Sequence, residues 1–380
     1  MSQHRAAALA KIARDLTAAG VPGVVLRVAD RTGILVEQVA GHRQTYRMVD
    51  GPGWVPGVER PLRPLSDPPP MTPDAVFDLA SVTKLAATTA ALMSLTDAGL
   101  VDPDGPARDW LPGLDPAVRL ADLLRHRAGL AEWWPVYADG GDAAADRDPE
   151  AVIRSLPARY PVHSARHYSD LGFMLLGRVV ERAAGEPLAD AVRRLVFAPA
   201  GMTDAHYRPG GVGPAVPLVA TGHGDWYERR MLATGEPHPT GIGPEAFDRW
   251  REYTIVGEVH DGNAWHGFGG VAGHAGLFGG ADDLVAFGRA LLAADGPWRP
   301  ETVRRFTAAG PDAAQGLGFW RWPAYGAVGH AGFTGIRFAV LPDRGEIVVL
   351  ATNRVHATGT DLLDLNPYWD RTLAAVRENA

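Results

Sequence analysis

The 380-residue chain contains no cysteine, and only two of its 37 basic side chains are lysines, Lys11 and Lys84. The missing thiols exclude disulfides, thiolate metal sites and a cysteine nucleophile, and they suit a reducing or an oxidising compartment equally. Positive charge is not in excess. The formal net charge is −7, whereas a nucleic-acid footprint needs clustered positive charge. Long apolar runs are missing too, so no segment reads as a bilayer span. Near the start, Leu9, Ile12, Ala13 and Leu16 share one helical face, and Lys11, Arg14 and Asp15 interrupt the apolar character. That pattern is an amphipathic helix rather than a signal peptide. It sets the expectation of a cytoplasmic protein, unless a leader has been trimmed. What remains is ordinary for a globular chain, 46% hydrophobic and 21% charged, with length enough for one large domain or two smaller ones.

Two apolar, β-branched runs at 24–28 and 34–39, separated by turn residues, predict a β-hairpin. Residues 49–75 are rich in Pro and Gly and read as a long loop. A short strand at 76–79 leads into a helix from Ser81 to about Ala98, stopped by Gly99. Helical spacing or composition recurs at 118–125, 151–156, 172–184, 188–197 and 281–293. Residues 205–275 are Gly-rich and show no clean period. Strand patterns return at 327–330, 336–341 and 347–352, followed by a helix at 368–379. Strands at both chain ends and helices between them predict an α+β fold. Its antiparallel sheet is built from both chain ends, flanked by the terminal helices, with a mostly helical lobe inserted. The expected division is 1–80 with 280–380 for the sheet domain, and 81–279 for the lobe.

Three segments carry chemistry. In Ser81-Val82-Thr83-Lys84 a helix would place Lys84 on the same face as Ser81, within reach of its hydroxyl. A serine hydroxyl is a poor nucleophile until a base takes its proton. Lysine can lose its own proton when buried, whereas arginine cannot. Seven serines and two lysines would meet at this spacing by chance only about 0.04 times. Taken alone, the pair could still be a helix-capping serine beside a solvated lysine. Tyr168-Ser169-Asp170 precedes a helix, so Tyr168 could carry a proton if nearby cations lower its pKa, and Asp170 could bond Lys84 or a substrate amide. An acidic cap behind a packed tyrosine is the plainer reading of the same residues. The third segment, Gly329-His330-Ala331-Gly332-Phe333-Thr334-Gly335, has small residues that let a substrate approach a sheet edge. The Phe333 and Ser81 amides could form an oxyanion hole there, although a glycine-rich turn with a surface histidine would look the same.

Together these segments resemble the serine β-lactamase and penicillin-binding protein superfamily, nearest the branch of class C β-lactamases, D-alanyl-D-alanine peptidases and related esterases. The order of motifs matches, and so does the flanking text. Phe77-Asp78-Leu79-Ala80 leads into Ser81, and Leu123-Leu124-Arg125-His126-Arg127-Ala128-Gly129-Leu130 resembles a Leu-Leu-x-His-x-x-Gly-Leu segment of that family. Residues 168–177, 257–264, 270–278 and 352–356 extend the likeness over nearly the whole chain. The resemblance implies a β-lactamase/transpeptidase-like fold and a serine hydrolase acting through an acyl-enzyme on a small ester, amide, peptide or β-lactam, without cofactor or metal. Ser81, Lys84 and Tyr168 would be catalytic; Asp170, His330, Gly332 and Phe333 would bind substrate or the oxyanion. Two departures matter. Asp170 stands where the best-known β-lactamases have Asn, and His330-Ala331 stands where they have Lys-Thr. A permanent cation and a hydroxyl for a substrate carboxylate are thus missing, which shifts the expectation from β-lactams towards neutral esters or amides. The alternative class is a sensor on the same fold that binds, or acylates and stalls.

Weaker signals do not compete. His260, Asp261, His266 and His274 match no metal-binding spacing. Residues 267–272 fit a dinucleotide fingerprint in letters only, with no strand before them or helix after. His126 reads as a packed, hydrogen-bonded histidine, and Trp133 and Trp134 as pocket or core.

Overall fold

A computed structural model describes residues 3–49, 54, 55, 58, 60–138, 148–359 and 361–378. Parts of the expected 49–75 loop and the end of the last helix lie outside them. The first helix, α1 (Gln3–Ala18), is followed by the hairpin β1 (Gly23–Asp30) and β2 (Ile34–Gly41). Far along the chain come β3 (Trp320–Trp322), β4 (Ala327–Ala331), β5 (Arg337–Leu341) and β6 (Glu346–Thr352). These strands form one six-stranded sheet in the order β3-β4-β5-β6-β1-β2, antiparallel throughout. The pairing that joins the two chain ends is β1 with β6, in register from Val24 opposite Thr352 to Asp30 opposite Glu346.

Side-chain alternation explains why both central strands read as continuous apolar runs. On β1, Val24, Leu26 and Val28 enter one core cluster, while Val25 and Ala29 enter the other. On β6, Val348 and Leu350 oppose Ile347, Val349 and Ala351 in the same way. The first face is covered by α1 and the C-terminal helix (Asn366–Arg377), through Leu9, Leu16, Trp369 and Leu373. Arg5 reaches down from α1 to a buried ion pair with Glu346 at 2.8 Å. The second face is covered by the helix Ala281–Leu292, and its core continues without a break into the other helices.

The helix after Ser81 begins at Val82, passes through a π-helical stretch, Lys84–Thr89, and ends as an α-helix, Ala90–Asp97. Two corrections to the expected elements follow. The helix expected to begin with Ser81 leaves that residue in the preceding turn. The region 205–275 is not without regular structure: it holds the helix Trp226–Thr234 and the paired strands Ala220–His223 and Thr254–Val256. A three- or four-residue strand contains too few residues to display a period, which is why the pattern is silent there. Among the described residues no helix is long and apolar enough to cross a membrane.

Trp369 is fully buried on the face away from Ser81. Trp369→Ala should therefore lower the urea unfolding midpoint by the equivalent of about 3–5 kcal/mol. The reactivity of Ser81 per folded molecule should stay unchanged. A small midpoint shift would mean that the terminal helix contributes little to the sheet.

Candidate active site

The chain turns sharply at Ala80, whose φ of 46° is unusual for a residue with a side chain. Asp78 holds that turn by accepting the Ala80 N–H at 2.8 Å and the His260 N–H at 2.7 Å. Ser81 follows, and one helical turn later Lys84 is fully buried beneath it. Lys84 Nζ donates to Ser81 Oγ at 2.9 Å and to the His274 carbonyl at 3.1 Å. It also lies 2.7 Å from Asp170 Oδ1, a close ion pair. Burial pushes the ammonium down, but the adjacent Asp170 and Tyr168 outweigh it, so the Lys84 pKa is raised.

Asp170 opens the helix Asp170–Ala184, and Ser169, not Asp170, caps it by accepting the Gly172 N–H. The loop at 126–132 fixes this corner. His126 Nδ1 accepts the Ser169 N–H at 3.0 Å, and the Glu132 carbonyl accepts the Asp170 N–H at 2.9 Å. The His126 ring also packs on Tyr168, with centroids 4.4 Å apart. Burial, then the nearby Lys84 charge, hold its pKa well below the usual value, so it supports as a neutral ring. Lys84 Nζ sits 5.2 Å from the centroid of the Tyr168 ring. The expectation that cations lower the Tyr168 pKa is corrected: burial raises it, and Lys84 only partly opposes that.

The third motif lies where β4 ends. Gly332 packs so closely that a Cβ there would lie 2.6 Å from the Leu79 carbonyl oxygen, and its N–H is spent on the Ile336 carbonyl. Gly332 thus shapes the wall of the groove and its amide is not available to an oxyanion. The Ser81 and Phe333 amides, by contrast, donate to no group among the described residues. The peptide beyond Phe333 is held by Arg354 Nε, which donates to the Phe333 carbonyl at 2.9 Å.

His330 requires the largest correction. Its ring is fully buried, it lines neither cavity at Ser81, and Nδ1 is 2.8 Å from the Ala331 carbonyl. Burial, reinforced by Lys84, lowers its pKa to about 3. It is therefore neutral near pH 7 and lies apart from both spaces beside Ser81. The expected lack of cations beside the substrate is corrected with it. A groove of about 380 Å³ opening on Ser81 is lined by Arg166, Arg337 and Arg354. Among the described residues Arg337 and Arg354 have no carboxylate at ion-pair distance, only carbonyl or amide oxygens. Burial, then repulsion from Arg354, lowers the Arg337 pKa to about 10, which leaves it charged.

On the other side of Ser81 opens a cavity of about 610 Å³, walled by Asp170, Trp133, Tyr227, Glu228 and Asp261 among others. Tyr168 and Phe333 border both spaces. Sequence reasoning singled out neither Glu228 nor the arginines. Nothing in their local pattern distinguishes them from solvated charges.

A nucleophile-type serine bonded to a buried lysine, below an open cleft on this α+β frame, defines a serine hydrolase. Comparison agrees, and the chain belongs to the beta-lactamase family, whose profile matches residues 9–367. It is similar to a Bacillus subtilis N-acetylmuramyl-L-alanine amidase, at 30% identity over 92% of this chain and 81% of that one. It is also 30% identical to an Escherichia coli K12 protein named provisionally as a D-alanyl-D-alanine carboxypeptidase, over 78% of this chain and 73% of the other. Among solved structures, the D-amino acid amidase of Ochrobactrum anthropi shares the fold with a TM-score of 0.67, 21% identity and 98% coverage of both chains.

The buried histidines also set an acid limit. Burial depresses His330 to about 3 and His260 and His223 to about 4, and lowers His126 and His356 as well. Each takes a proton in the unfolded chain below about pH 6.5 and resists it in the fold. Stability is therefore complete above that pH and erodes as pH falls, by up to about 1.4 kcal/mol per pH unit for each group. Asp78 and Glu228, raised by burial to about 6 and about 8, act in the opposite sense but are fewer. The thermal midpoint should fall steadily between pH 6.5 and 5. A flat profile there would show that the imidazoles are not held neutral.

Proposed function

We propose that Ser81 is the acylated nucleophile of an amide or ester hydrolase, and that Lys84 relays its proton to Asp170. The carrying observation is that one buried nitrogen, Lys84 Nζ, lies 2.9 Å from Ser81 Oγ and 2.7 Å from Asp170 Oδ1. Lys84 is an ammonium at rest, so it cannot accept a proton directly. Asp170 is the carboxylate in contact with it. When substrate displaces water from the cleft, the desolvated ion pair loses its advantage over the neutral pair. A proton then moves from Nζ to Asp170, and the freed amine accepts the Ser81 proton as Oγ bonds to the carbonyl carbon. Lys84 ends as an ammonium, Asp170 as a neutral acid, and the carbonyl oxygen as an oxyanion facing the Ser81 and Phe333 amides. Collapse of that intermediate breaks the bond to the leaving group, which takes a proton through Tyr168 from Lys84. Asp170 then returns its proton to Lys84, and water repeats the sequence on the acyl-enzyme.

Amides and peptides are the favoured substrates. The relatives named amidase and carboxypeptidase support this, as do Arg337 and Arg354, which have no carboxylate at ion-pair distance among the described residues and suit a carboxylate on the leaving group.

A fluorophosphonate should add one adduct mass to the protein, located at Ser81, and none to Ser81→Ala. An unlabelled but folded wild type would defeat the assignment. Repeated turnover of an amino-acid p-nitroanilide or short-chain p-nitrophenyl ester, beyond one product per enzyme, separates a hydrolase from a stalled sensor.

Asp170→Asn preserves shape and removes the proton acceptor. Acylation at pH 7 should drop about 100-fold or more and recover as pH rises, because Lys84 must then lose its own proton to solvent. A rate within about threefold of wild type at pH 7 would show that Asp170 only positions Lys84.

A further inference from the structure

The larger cavity beside Ser81 is lined by Glu132, Asp170, Glu228, Glu236 and Asp261, and, among the described residues, by no lysine or arginine. Three of these acids already have cationic or histidine partners. Asp170 faces Lys84, Asp261 meets His274 Nε2 at 2.8 Å, and Glu132 lies 3.4 Å from Arg159. Glu228 is different. It is 6% exposed, and among the described residues no Lys, Arg or His lies within ion-pair distance of it. Its oxygens accept from neutral donors, the Tyr137 hydroxyl at 2.9 Å and the Gly262 N–H at 3.1 Å. A buried carboxyl without a counter-charge is costly to ionise unless something supplies the charge.

The surroundings do not supply it. His260 lines the same cavity, is more than nine-tenths buried, and its Nε2 has no partner among the described residues. Burial lowers that imidazole to about 4, so it carries no positive charge at neutral pH. Trp133, Tyr227 and Phe333 add aromatic surface to the wall, and aromatic faces attract cations. Across Ser81 the charge reverses, with arginines lining the opposite groove.

We infer that this cavity selects substrates carrying an ammonium group on its side of the scissile carbonyl, with Glu228 as the buried counter-charge. The inference rests on Ser81 being the reacting group and adds the chemical class that its cavity admits. The partner is a free amine of amino-acyl size rather than an acylated, neutral one. Burial and the Asp261 charge hold the Glu228 carboxyl up at about 8. An entering ammonium would favour its ionised form, and a neutral ligand would meet an uncharged acid.

The test is protection of Ser81 from fluorophosphonate at pH 7 by alaninamide, a cation there, or by neutral N-acetylalaninamide, each as both enantiomers. Half-protection by one enantiomer of alaninamide is expected at a concentration at least tenfold lower than by the matching acetylated amide. Glu228→Gln should shrink that ratio to within threefold, and Glu228→Asp, which keeps the charge, should keep it above threefold. Each variant is scored against its own unprotected labelling rate, so misfolding appears as lost labelling. If Glu228→Gln does not label, the wild-type ratio and Glu228→Asp decide. A ratio near one, a preference for the acetylated amide, no protection by either, or a ratio untouched by Glu228→Gln overturns the inference and leaves the Ser81 assignment standing. Absence of labelling in the wild type overturns both.

Discussion

The contact on which the site depends is the ammonium of Lys84, fully buried and held between Ser81, Asp170 and the His274 carbonyl. A charge so placed must be matched, because an unpaired buried ion costs several kcal/mol. Beside neighbouring Ser81, the match comes from two distant parts of the chain, at Asp170 and His274, so the ammonium acts as a structural pin as well as a chemical group. It fixes the start of the Asp170 helix against the turn at Ser81, and it draws the 274 strand-entry segment beneath both.

Around that pin the protein keeps its other rings neutral. His126, His330 and His260 are all depressed by burial, and for the first two the Lys84 charge adds to the effect. The site thus concentrates its positive charge in one lysine and in the arginines of one groove. Carboxyl groups gather in the opposite cavity, and Ser81 lies on the boundary. A division of this kind would orient a dipolar substrate before any bond is made, because complementary fields act during approach as well as on contact.

Asp170 changes the logic of the Ser–Lys pair. With an amide at this position burial would act on the lysine without an adjacent carboxylate, and its proton could leave only to solvent. With a carboxylate in contact, the ammonium is the resting state and the proton needs somewhere to go. The same carboxylate is the nearest place. A residue that looks like an obstacle to base catalysis therefore becomes its terminal acceptor in the proposed sequence. The loss of a lysine at position 330 is likewise offset from elsewhere, by arginines that reach the groove from β5 and from beyond β6.

Much of this was legible in the sequence for a physical reason: helical spacing and strand alternation are local. The hairpin, the late strands and the terminal helices follow from periods of 3.6 or 2, and the approach of Lys84 to Ser81 from their three-residue spacing across a turn. Rarity helped as well, since one of only two lysines stands three residues after a serine. Local pattern could not show which face of β4 carries His330, nor that its ring is sealed from the cleft, because burial is a property of neighbours far away in the chain. It could not separate Glu228 from a solvated glutamate, since only the folded cavity removes its water and withholds a cation. The types and spacing of the reacting groups belong to the sequence. Their protonation, and the opposite charges of the two spaces beside Ser81, were decided only when tertiary packing determined which groups lost their solvent.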